Sequence, residues 1–217
     1  YQQINPKGDD GGRAKNSKQR DKRLSLKVAY TPNEHDEYAL AFSTQQGTKE
    51  SPFYSGSDSF ERYWRWPMWD KDSIYFLSHT EFDNHHLTLN TKAFYDTFKN
   101  DLRAFDDATF STQKKKSSFN SYYRDYSYGA GFDLGGDLTS KDRLKFSTLI
   151  KYDVHREHND DEPTAVDKDR TYSFGLENTH RFNEQMSLIT GISYDKRDSN
   201  RAEKFEKQCA STHQKNA

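Results

Sequence analysis

The sequence predicts an all-β fold, an antiparallel meander of about eight strands, and three observations predict it. Apolar residues recur at every second position in run after run, the links between runs alternate between short and long, and charged residues keep to one side of the alternation. Successive side chains of a strand point to opposite faces, so each run reads as a strand with one apolar and one polar face. Of the 217 residues only 31% are hydrophobic, against about 45–50% in an ordinary globular chain. Aromatics make up 15%, which argues against disorder, since disordered chains are poor in them.

The elements follow in order. Residues 1–22 are polar and read as a loop. "RLSLKVAYT" then aligns Leu24, Leu26, Val28 and Tyr30, and "EYALAFST" aligns Tyr38, Leu40 and Phe42. "SIYFLSHTEF" sets Ile74, Phe76, Ser78, Thr80 and Phe82 against Tyr75, Leu77, His79 and Glu81. "LTLNTKAFYDTF" aligns Leu87, Leu89, Thr91, Ala93 and Tyr95; "DYSYGAGFDLGGDL" aligns Tyr126, Tyr128, Ala130, Phe132, Leu134 and Leu138. In "LKFSTLIKYDV" Leu144, Phe146, Thr148, Ile150, Tyr152 and Val154 share a side. "TYSFGLENTHRF" contributes Tyr172, Phe174, Leu176 and Phe182, and "MSLITGISYD" contributes Met186, Leu188, Ile192 and Tyr194. These make about eight strands of roughly the 9–11 residues expected of a tilted membrane-crossing strand.

Short turns are predicted at 32–36, 83–86, 140–142 and 183–185, and long polar loops at 47–62, 100–123 and 157–168. Short turns on one side and long loops on the other are the layout of an outer-membrane barrel. Roughly forty positions fall on the apolar faces, and none is Asp, Glu, Lys or Arg. A lipid-facing surface should exclude them, because Arg or Lys at the bilayer midplane costs about 2–4 kcal/mol. The other faces carry Lys27, Glu81, Lys92, Asp96, Asp133, Lys145, Lys151, Asp153 and Glu177. Tyr30, Tyr38, Phe82 and Phe182 flank short turns, while Tyr95, Tyr126, Tyr128, Tyr152, Tyr172 and Tyr194 lie towards the long loops, as two aromatic girdles would.

A net charge of −1 offers no electrostatic case for nucleic acid. Lone Cys209 leaves no intramolecular disulfide framework and no multi-cysteine zinc site. GxSxG, a phosphate-cradling Gly-rich loop and HExxH are absent from the sequence, so no catalytic residue, cofactor or enzyme activity is expected. "GGDL" at 135–138 reads as barrel backbone. The sequence begins at Tyr1, which suggests a processed product or a fragment.

At "RYWRWPMWDKDSIYFLS" (62–78), with "FYDTFKND", "DDATFSTQ", "SYYRDYSYG" and "DVHREHND", the sequence resembles the barrel of TonB-dependent outer-membrane receptors, from about residue 1 to about residue 200. The resemblance implies energy-coupled uptake of a ferric siderophore or a similarly scarce nutrient. It implies a location in a Gram-negative outer membrane, among lipid and lipopolysaccharide. Members of that family carry an N-terminal plug, a TonB-contacting box and a 22-stranded barrel. The quoted motifs cover only barrel strands, so the expectation is an open slice of a larger transmembrane β-barrel, meeting plug and TonB only through the rest of the receptor. The division expected is 1–22 extracellular-type loop, 23–199 partial β-barrel and 200–217 irregular tail. The alternative is a complete eight-stranded barrel with an adhesin or structural role; a soluble carbohydrate-binding sandwich is disfavoured by the loop alternation.

Tyr63, Trp64, Arg65 and Trp66 are the candidate ligand-binding residues. They would line a vestibule in which Arg65 meets an anionic chelate. An interfacial aromatic anchor is the plainer reading, since Trp is enriched at that depth. Pro67 should break strand pairing there. His155, His158, Asp160, Asp161 and Glu162 read as a solvated loop, with weak Ca²⁺ binding as the sharper alternative; no metal site is predicted. "QKKK" (113–116) reads as a solvated loop tip, with lipid-A phosphate contact as its alternative.

Overall fold

The computed structural model describes residues 2–4, 15–53, 62–82 and 86–204. Among them are nine strands: β1 (Gln2–Ile4), β2 (Gln19–Tyr30), β3 (Asp36–Glu50), β4 (Trp64–Phe82), β5 (Leu87–Ala104), β6 (Phe119–Asp137), β7 (Asp142–Asn159), β8 (Ala165–Arg181) and β9 (Ser187–Arg201). They form one sheet in chain order, every neighbour antiparallel. The meander of eight long strands is therefore as predicted, with a short ninth strand at its start.

Residues directly opposite in an antiparallel ladder share a face, and the register joins the apolar runs into one surface. Leu26 faces Phe42, Phe42 faces Ile74, and Ile74 faces Tyr95. Tyr95 faces Tyr128, and Tyr128 faces Tyr152. One turn nearer the short connections, Ala130, Ile150 and Tyr172 form the next row. The sheet is a single layer, so it buries little: Ala39, Ala41, Ala104 and Val154 are its buried apolar residues. Leu24 at 63% and Ile192 at 74% stay exposed on the apolar face. A water-soluble domain would cover such a face with a second layer.

Three differences from expectation share one cause. The long loops at 47–62, 100–123 and 157–168 are shorter than expected, because β3 runs on to Glu50, β5 to Ala104 and β7 to Asn159. β4 and β6 reach 19 residues, well past 9–11. Beyond the apolar band polar residues and rings fall on both faces, so hydropathy alternation fades while the hydrogen-bond ladder continues. The expected loop 1–22 likewise contains β1 and the start of β2, and the expected tail from 200 contains the last two residues of β9, Asn200 and Arg201. Of that tail, 205–217 with Cys209 lies outside the described residues, as does 83–85 of the second short turn.

The described short turns use one device. Asn33 Oδ1 accepts the His35 N–H at 2.7 Å, and Asn183 Oδ1 accepts the Gln185 and Met186 N–H groups at 2.9 Å. Thr139 Oγ1 likewise accepts the Asp142 N–H at 3.0 Å. A short polar side chain bonding to the backbone two or three residues on tightens the reversal. At the sheet's margins, β9 pairs with β8 alone and β1 with β2 alone among the described residues.

Candidate functional site

The aromatic stretch of β4 is organised by one extra residue. From Arg65 to Met68 the strand advances three residues while β5 retreats two, from Arg103 to Asp101. Against β3, the five steps from Trp66 to Lys71 meet four from Lys49 back to Gln45. A bulge therefore sits at Pro67, which cannot donate to the ladder. Pairing is interrupted at Pro67, as expected, and the strand bends there and continues to Trp64.

The bulge also resets parity. Trp64 and Trp66 lie two residues apart on the polar face, and Trp69, three further on, rejoins them. Ring centroids are 6.0 Å apart for Trp64–Trp66 and 6.0 Å for Trp66–Trp69, both edge-to-face. Phe98 of β5 extends the cluster, 5.0 Å from Trp69, and Phe119 of β6 lies 6.4 Å from Trp64. Such pairs each add about 0.5–1.5 kcal/mol beyond their burial. Lys49 Nζ sits 4.8 Å from the Trp66 ring and 4.4 Å from Trp69. Lys71 lies over Phe98 at 5.4 Å and Arg62 over Trp64 at 4.8 Å. The result is an aromatic floor with cations along it, at the long-loop end of the polar face.

The four candidates thus part company. Trp64 and Trp66 belong to this floor, on the face opposite to an interfacial anchor. Tyr63 and Arg65 lie on the other side, in a cluster with Phe53, Phe105 and Phe110. Arg65 is already engaged: its Nε donates to Asn16 Oδ1 at 3.0 Å, Glu50 is 3.8 Å away, and the guanidinium lies 3.8 Å from the Phe110 ring centre. Asn16 in turn donates to the carbonyls of Ser51 and Trp64. These bonds clamp the loop ends rather than present Arg65 to a ligand. Trp69 was in view in the sequence; Lys49, Lys71, Phe98 and Phe119 were not, because only register across strands brings them in.

Below the floor the polar face carries a cleft of about 780 Å³ reaching from Lys71 across to Arg197. Its charges pair side by side: Lys151 with Asp153 at 2.8 Å, and Arg197 with Asp169. His155 Nδ1 is 2.9 Å from both oxygens of Asp125, and Nε2 is 3.5 Å from Glu157. Nearer the short turns, Lys145 meets Glu177 at 3.1 Å and Lys27 meets Glu37 at 3.5 Å. His155 and His158, three apart on β7, fall on opposite faces; His158 stacks on Tyr122 at 4.9 Å. They cannot share an ion. Asp160 accepts from Asn120 and Tyr122, and Glu162 from Asn159. Lys114, Lys115 and Lys116 are exposed, at the tip of a loop between β5 and β6.

No family model matches the sequence, and no curated protein matches it. A solved structure named copper transporter OprC resembles the fold, with a TM-score of 0.73 at 14% identity over 89% of this chain. The match covers 30% of that protein, whose fold is a β-barrel.

Proposed function

We propose that the chain is a wall of a TonB-dependent nutrient receptor in a Gram-negative outer membrane. Its apolar face lies against lipid, and its polar face lines the transport lumen. The observation that carries this reading is the apolar band, unbroken by charge across eight strands, with no second layer over it among the described residues. The band on β5 runs from Leu87 to Tyr95. Its nine residues match the 9–11 expected of a tilted strand crossing the hydrocarbon. The likeness to a barrel protein supports the fold.

Two features support a wall segment over a closed eight-stranded barrel. Among the described residues β9 finds its partner in β8 alone, and the polar face carries more charge than an eight-strand interior of packed side chains accommodates. The cargo reading is finer still. An aromatic floor with Lys49, Lys71 and Arg62 suits a large anionic chelate such as a ferric siderophore, held by cations and stacked on rings. Copper, named for the OprC structure, is the competing cargo.

Single cysteines test the wall reading in the receptor that carries this chain. Cysteine at Leu40, Phe76, Ile150 or Leu176 should be shielded from a membrane-impermeant maleimide and reachable by a lipid-soluble one. Cysteine at Ser43, Ser147 or Ser173 should react with the water-soluble reagent. Equal labelling of the two sets would refute the reading. Growth with a ferric siderophore or a copper salt as limiting nutrient, with and without Trp64→Ala and Trp66→Ala, separates the cargoes.

A further inference from the structure

Five cations of the polar face, Lys27, Arg143, Lys145, Lys151 and Arg197, each pair with a carboxylate within 4 Å. Three cations on the other face do not. Arg156 on β7 and Lys168 and Arg170 on β8 lie on the apolar side, just past the tyrosine row, as the register shows: Arg170 opposes Tyr152, and Lys168 opposes Val154. None has a carboxylate within ion-pairing distance among the described residues. The nearest on β9, Asp198, opposes Arg170 but pairs with Lys196 at 3.0 Å.

The two arginines are held in place without being neutralised. The Arg170 guanidinium lies 4.6 Å from the Tyr152 ring and 5.9 Å from Tyr172, and Nη1 donates to the Tyr172 hydroxyl at 2.8 Å. Its Nε is buried with no acceptor. Arg156 lies 5.2 Å over Tyr126 and donates from Nε to the Arg124 carbonyl at 2.6 Å. Lys168 is exposed beside them. Stacking fixes the forks, and the unmet N–H and the missing counter-charges leave an anion-shaped demand.

We propose that Arg156, Lys168 and Arg170 form a site for the phosphate groups of the outer-leaflet glycolipid around the receptor. The site rests on the membrane-wall reading, which sets these residues where the apolar band ends and headgroups begin. Arginine meets phosphate through paired N–H donors, and lysine adds a point charge. Tyrosines beneath hold acyl-chain depth while the cations above hold the phosphate. A lipid phosphate fits better than a free one, because the lipid's own chains would lie on the adjoining apolar face.

The test uses the receptor carrying this chain, reconstituted in phosphatidylcholine vesicles containing either diphosphorylated lipid A or its dephosphorylated form. Bound lipid is then counted by native mass spectrometry. Replacing all three residues by Gln should weaken retention of the diphosphorylated lipid by about 10- to 100-fold. Lys114→Gln/Lys115→Gln/Lys116→Gln, with the same change of charge, should leave it unaltered. The dephosphorylated lipid should not distinguish wild type from either variant, and millimolar inorganic phosphate should not displace the lipid. Lys168→Gln, which disturbs no internal bond, should show a smaller loss even if the triple variant folds poorly. Unchanged retention in both variants, loss in the loop variant instead, or displacement by inorganic phosphate would each overturn the proposal. A receptor that enters vesicles but retains no lipid A sinks this site and leaves the wall reading standing. One that enters no vesicle sinks both.

Discussion

Ile150 and Ser147 lie three residues apart on β7 and face opposite ways, Ile150 beside Ala130 and Tyr172, Ser147 beside Asp133 and Gly175. Ile150→Arg should abolish assembly of the receptor into the membrane fraction, since a guanidinium there costs about 2–4 kcal/mol on the lipid side. Ser147→Arg should assemble normally; equal outcomes would refute the face assignment. Gly131 is constrained in a different way. A Cβ there would sit 2.2 Å from the Thr148 carbonyl oxygen and 3.0 Å from Leu149 Cα, both backbone atoms. Gly131→Ala must push β6 from β7, at a cost of about 1–3 kcal/mol. At Gly175 the nearest atom is 3.7 Å away, so Gly175→Ala should leave the thermal midpoint nearly unchanged while Gly131→Ala lowers it. Asp72 shows where the apolar band stops: it lies on the apolar side, two residues beyond Ile74, and accepts from the hydroxyls of Thr44 and Thr97.

At the scale of an element, the loop between β5 and β6 is built on one carboxylate. Asp106, only 7% exposed, accepts from Ser118 Oγ at 2.5 Å and from the N–H groups of Lys114 and Lys115 at 2.7 and 2.8 Å. The Ser118 bond, followed by those backbone donors, holds its carboxyl well below the usual carboxylate range. A depressed folded-state pKa means the hold is fully present above the ordinary value and is lost as pH falls through the depressed one. The loop should therefore stay closed at pH 4 and release only in stronger acid. Hydrogen exchange at the Lys114 and Lys115 amides, corrected for intrinsic rates, checks this; release at pH 4–5 would contradict it. Asp106→Ala should expose the Lys114–Lys116 bonds to trypsin at neutral pH, and cleavage no faster than in wild type would show that the carboxylate is dispensable.

For the whole molecule the open margin decides what the chain can do alone. The outer edge of β9 presents a row of unpaired backbone donors and acceptors among the described residues. In hydrocarbon each such group costs several kcal/mol. Curling shut would bury the polar face, where Lys145–Glu177 and Lys151–Asp153 have partners but would still lose their water. The chain produced alone should thus fail to form a heat-modifiable, membrane-embedded species, and strands supplied by the rest of a receptor should restore it. A stable embedded species from the chain alone would promote the small-barrel reading.

The alternation from Leu24 to Tyr194 determined, without any structure, the strand class, the meander and which residues share a face, because side-chain direction along a strand is set by local geometry. The short turns were equally legible, since Asn33, Thr139 and Asn183 act within two or three residues. What only the tertiary structure decided lies beyond a bulge or across a ladder. One extra residue at Pro67 turned Trp69 to the side of Trp64 and Trp66, away from Arg65. Register brought Lys49 between two indoles and set Arg170 over Tyr152. The strands' polar ends, too, were invisible to hydropathy, because outside the apolar band the hydrogen-bond ladder continues with no alternation to mark it. Parity after a bulge and neighbours across strands follow from backbone pairing between distant segments, and no local pattern encodes that.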